Sequence, residues 1–221
     1  MTVPGSVFRR ILWATLFGIA FAFVESSIVV YLRALYYPEG FAFPLKLIAK
    51  DHFVIELFRE EATIIMLASV AILTGTRAWE KFGYFIFVFG VWDVFYYLWL
   101  KVLIDWPVSL FDWDILFLLP LPWIGPVIAP VLIALLMSVC GMLIIIRIAR
   151  GAQFAPGLLS WLLAAAATLV ILYSFMSDIA ATLHQRMPAG YRYEFLAAGI
   201  LLYIAAFVTA VKAHHSADPS S

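Results

Sequence analysis

The chain has 221 residues, 65% of them hydrophobic and 13% charged, with 14 Lys plus Arg against 14 Asp plus Glu. Soluble domains carry about 25% charged residues, so this composition excludes an ordinary soluble fold, and a net charge of zero without a basic tract leaves no footprint for nucleic acid. The single cysteine, Cys140, excludes an intrachain disulfide and a cysteine-based zinc site.

Several uncharged stretches reach the ~20 residues that cross a ~30 Å hydrocarbon core. They predict an all-α integral membrane bundle of six transmembrane helices, at about 9–33, 56–76, 82–103, 126–148, 156–177 and 193–212. Residues 1–212 form one transmembrane domain. Residues 213–221, with His214, His215 and "SADPSS", read as a short disordered cytoplasmic tail. The first apolar run follows Arg9 and Arg10 as a signal peptide would, but it continues to Leu32 and so predicts an uncleaved span.

In helix one, Thr15, Gly18, Ala22 and Glu25 recur at helical spacing and form a small, polar packing face. Glu25 lies about 21 Å along the helix from Ile11. A carboxylate at such depth costs roughly 2.5–3.5 kcal/mol and needs a partner or water. Helix two must begin near Glu56 to be long enough, which brings "ELFREEAT" into the span. There Glu56, Arg59, Glu60 and Thr63 fall on one face, whereas Glu61 points elsewhere. In helix three, Asp93 sits near the middle, Tyr97 lies one turn further out and Lys101 a turn beyond it. Gly83 and Gly90 would let another helix approach closely.

From Ile115 to Ile146 no residue is charged, a length awkward for either one span or two. Pro120, Pro122, Pro126 and Pro130 each lack an N–H and disfavour helix at the residue before. The expectation is an irregular, proline-broken re-entrant or interfacial segment over 105–125, with helix four starting near Pro126. Trp106, Trp113 and Trp123 would sit at the interface. Asp112 and Asp114 would then overhang the region of Glu25, Glu60 and Asp93. Helix five ends in Ser174, Ser177 and Asp178, and the loop after it carries His184 and Arg186. The remaining aromatic residues read mostly as lipid-facing surface.

Seven Lys and Arg flank the spans on each side, but the terminal side has only two acids against ten on the other. The tight basic flanks place both termini in the cytoplasm. The stretches "FGVWDVFYYLWLK", "DWDILFLLPLPWIGPVIAP" and "VESSIVVYLRALYYPEGF" resemble a family of small bacterial polytopic inner-membrane proteins with no assigned activity. The resemblance covers helices one to four and implies a bacterial inner (plasma) membrane setting. It transfers no functional residue.

The acids of three spans point to one outward-facing pocket that binds a cation or proton and moves it across the bilayer. Its residues would be Glu25, Glu60, Asp93, Tyr97, Asp112 and Asp114, with Arg33, Arg59 and Lys101 as charge partners. Those three cations also allow a plainer reading, in which the acids are neutralised in structural ion pairs. A metal-dependent enzyme acting on a lipid or isoprenoid head group is the first alternative, with Glu25, Asp93, Asp178 and His184 as candidate ligands. Carboxylates with one histidine suit hard ions such as Mg²⁺, Ca²⁺ or Mn²⁺. No predicted span contains a histidine, so haem is not expected. The second alternative is an accessory subunit that docks through the polar stripe of helix two. Six helices make a thin transport machine, which a homo-oligomer would strengthen; the subunit reading calls for a membrane-complex partner.

Overall fold

The computed structural model describes residues 5–43, 49–118, 122–178, 184 and 186–212. Pro120 and the 213–221 tail therefore lie outside the described residues. In chain order the elements are α1 (Gly5–Tyr36), α2 (Lys50–Thr74), α3 (Ala78–Ile104), β1 (Trp113–Phe117), β2 (Trp123–Pro126), α4 (Ile128–Ala149), α5 (Leu158–Met176) and α6 (Tyr193–Lys212). All of these helices except α2 are long and apolar enough to cross a membrane. Helix α2 has 25 residues, but its first half carries Asp51, Glu56, Arg59, Glu60 and Glu61. The protein is a polytopic helical membrane protein with a small β-hairpin near its middle.

Helix α3 is the hub, packing against α1 on one flank, α4 on another and α2 more lightly, while α5 and α6 pair with each other. The α3–α4 approach depends on missing side chains. A Cβ on Gly90 would lie 2.8 Å from the Ser138 backbone nitrogen, and one on Gly141 would lie 2.7 Å from the Phe87 nitrogen. The α1–α3 seam follows the expected small face of α1. Gly18 abuts Val91, and Ser26 donates to the Tyr96 carbonyl at 3.0 Å. The Trp99 indole donates to the Ile19 carbonyl, also at 3.0 Å.

Arg10 closes one end of the bundle, donating to the Thr74 carbonyl at 3.0 Å and pairing with Glu80 at 3.0 Å. Arg147 reaches the Val211 carbonyl at 3.3 Å. The start of α1, the α2–α3 turn and the ends of α4 and α6 thus share one face, so the first and last helices open and close on the same side.

The proline segment differs from the irregular loop expected. Its backbone pairs as an antiparallel hairpin, with Trp113 opposite Pro126, Asp114 opposite Gly125 and Ile115 opposite Ile124, and a bulge before Phe117. Pro122 and Pro126 are tolerated because each flanks or ends a strand of a two-stranded sheet, where an N–H is dispensable. The hairpin runs inward until Phe117 meets Phe89 in the middle of α3, with ring centroids 6.4 Å apart. Helix α4 starts at Ile128, so Pro130 and not Pro126 occupies its first turn. The three tryptophans expected at the interface are half-buried and each meets a side chain of the bundle. Trp106 covers Arg33, Trp113 meets Tyr191, and Trp123 stacks on Phe175.

Gly90→Leu should lower stability by about 1–3 kcal/mol or more through overpacking, seen as a fall in melting temperature of the detergent-solubilised protein. Gly157→Ala, at a position with open space around it, should leave that temperature unchanged.

Candidate functional site

A cavity of about 650 Å³ opens between α1, α2, α3, the hairpin and the α4–α5–α6 side of the bundle. Of the residues singled out from the sequence, Glu25, Arg33, Arg59, Glu60, Asp93, Tyr97 and Asp114 all line it. The polar stripe of α2 faces this interior, since Glu60 and Thr63 are buried and Glu61 is exposed. The opposite face of α2 presents Ile55, Phe58 and Ile65 outward. The stripe therefore lines the cavity of its own bundle.

Each charge deep in the bundle has a specific environment. The Arg59 guanidinium contacts Glu25 and also bridges Glu56, with Nε at 2.8 Å and Nη2 at 2.5 Å from its carboxylate oxygens. Thr63 donates to the second Glu25 oxygen at 3.1 Å. Glu60 accepts the Leu118 backbone N–H at 2.9 and 3.0 Å, which satisfies a donor that the end of β1 would otherwise bury. Arg33 pairs with Asp114 at 2.9 Å. Its guanidinium carbon lies 3.7 Å from the Trp106 ring centroid and 4.2 Å from that of Phe41, a cation–π contact with each ring. Burial pushes the Asp114 carboxyl above its usual range, and the neighbouring Arg33 and the Tyr97 hydroxyl act against that rise.

Asp93 is different. Half-buried on α3 and facing the cavity, it has neither a hydrogen bond nor an ion pair among the described residues. Lys101 does not approach it, because its ammonium pairs with Asp105 at 2.7 Å on the exposed end of α3. The cavity therefore holds five carboxylates (Glu25, Glu56, Glu60, Asp93 and Asp114) against two guanidiniums.

Other expected members lie elsewhere. Asp112 accepts the Val108 and Ser109 N–H groups at 2.8 and 3.0 Å, which makes it a turn-forming residue outside the lining. Asp178 accepts the Ala189 N–H, and His184 is exposed; neither borders the cavity with Glu25 and Asp93. Among the described residues no three His, Cys, Asp or Glu side chains converge as metal ligands.

The lining also contains residues that sequence reasoning passed over. Glu56 was visible on the α2 stripe but is an equal partner of Arg59. Tyr36 and His52 meet at 2.5 Å on the lining. An aromatic wall is formed by Phe89, Trp92, Phe117 and Phe175, which in sequence read mostly as lipid-facing surface, together with Trp123, expected at the interface. For Phe89 and Trp92, position along α3 relative to Asp93 offered a clue.

Arg33→Met should destabilise the protein by about 3–5 kcal/mol, because it strands the Asp114 charge in a buried site. Arg33→Met with Asp114→Leu should recover most of the loss. Unfolding of both variants in detergent measures the difference.

No protein-family model matches the chain, and neither a curated protein nor a solved structure matches it, so what the cavity does is argued from its chemistry.

Proposed function

We propose that the cavity is an intramembrane binding site for a cation or proton, taken up at Asp93 and passed across the bilayer. The observation that carries this reading is an excess of carboxylates over guanidiniums around a partly open cavity, combined with one carboxylate, Asp93, that has no ion pair or hydrogen bond among the described residues. A charge left unpaired at membrane depth is costly, and an arriving cation or proton removes that cost. The other acids are occupied: Glu25 and Glu56 share Arg59, Asp114 holds Arg33, and Glu60 holds the hairpin backbone. They keep the local field negative while Asp93 does the binding.

In this reading α2 is the sixth span and its charged stripe lines the path. The hairpin is a re-entrant element whose backbone is sheltered by protein, as irregular structure at membrane depth must be. Both termini face the cytoplasm of a bacterial inner membrane, as the basic flanks and the resemblance imply. A hard divalent ion bound wholly by protein ligands is the less favoured occupant, because no three ligand side chains converge among the described residues.

Purified protein in proteoliposomes should dissipate an imposed proton, Na⁺ or Mg²⁺ gradient, and Asp93→Asn should cut that flux about tenfold or more. Lys101→Met, remote from the cavity, should leave the flux unchanged. Flux in Asp93→Asn equal to that of the unaltered chain would sink the proposal.

A further inference from the structure

We infer that the ligand is an amphipathic organic cation, with one ammonium-type centre on an apolar body, its charge at Asp93 and its body against the aromatic wall. This deepens the cation reading above and rests on it. Size is the first ground. A water occupies ≈ 30 Å³ of liquid volume, so a cavity of about 650 Å³ far exceeds what a bare ion or a proton relay requires. It falls instead within the ≈ 300–1,000 Å³ typical of small-molecule sites.

Wall chemistry is the second ground. An inorganic cation needs several oxygens converging at one point, and the described carboxylates do not supply them. Arg59 and Arg33 hold three of the five, and the Leu118 N–H holds a fourth. Among the described residues Asp93 offers a single carboxylate with no ion pair or hydrogen bond, which suits a monovalent organic cation that brings no coordination demand.

The third ground is placement. Trp92 and Phe89 flank Asp93 on α3, and Phe117 and Trp123 of the hairpin face the same space. Aromatic faces attract an organic cation by their quadrupole, worth up to about tenfold or more in affinity when desolvated. The same lining includes Ile133, Met137 and Leu172, which offer apolar surface for the body of the ligand.

The probe is tetraphenylphosphonium, whose charge does not depend on pH, measured by equilibrium dialysis against protein in dodecyl maltoside. Saturable binding near one per chain is expected, weakened on the order of tenfold in Asp93→Asn and largely kept in Asp93→Glu. Tetraphenylborate, of matching shape and opposite charge, should not bind saturably. This comparison needs only the unaltered chain, so it decides the matter even if Asp93→Asn does not fold. Displacement by dihexanoyl-phosphatidylethanolamine would identify a lipid head group as the source of the ammonium; no displacement would identify a soluble cation. Equal binding of both probes, or no saturable binding of tetraphenylphosphonium, overturns the inference. If Asp93-dependent ion flux persists in that case, the cavity serves a bare ion or proton and the broader proposal stands; if that flux is absent too, both fall.

Discussion

The buried Arg33–Asp114 pair joins the outer end of α1 to the first strand of the hairpin. Two charges withdrawn from water cost several kcal/mol each, so such a pair persists only where its remaining surface is also satisfied. Here the rings of Trp106 and Phe41, their centroids 5.7 Å apart, both pack against the guanidinium. The chain on either side of α3 is thereby drawn over the cavity, and the hairpin is anchored at its base. Its inner end has a second anchor, the Leu118 N–H on Glu60 of α2. With both anchors in place, extended backbone can lie among membrane helices without exposing open donors to lipid.

Helix α3 supplies the rigid wall on which this arrangement rests. Glycines at Gly83 and Gly90 bring α4 against one flank, and the small face of α1 closes another. The remaining flank faces the cavity and carries Asp93, Tyr97 and the rings that line it. A site built on tightly packed helices holds its polar groups in place without reorganisation when a ligand arrives. The acids of the cavity accordingly divide into two kinds. Four are engaged in holding structure together, and Asp93 is held by the packing of α3 with no ion pair or hydrogen bond among the described residues. Stability and binding thus draw on different carboxylates.

Much of this was legible beforehand. Depth along a helix follows from a constant rise per residue, so Glu25 and Asp93 could be placed inside the bilayer, and the α2 stripe could be turned inward because lipid rejects it. The glycine spacing of α3 and the small face of α1 announced close helix contacts. What escaped was pairing. Arg59 was expected to serve one acid and serves two; Lys101 was a candidate partner for Asp93 but pairs with Asp105, four residues along its own helix. Asp112 and Asp114 looked equivalent, yet strand alternation buries Asp114 while Asp112 closes a turn.

The linear order of residues by itself determined that the chain is a multi-pass helical membrane protein, and which spans bear charge, because hydrophobic length and helical period are local properties. Only the tertiary structure decided that the proline segment pairs as a hairpin, which side chains its tryptophans meet, and that Asp93 has neither an ion pair nor a hydrogen bond among the described residues. Those outcomes depend on distances between segments far apart in the chain, and a side chain's partner is chosen by such distances, not by its neighbours in sequence.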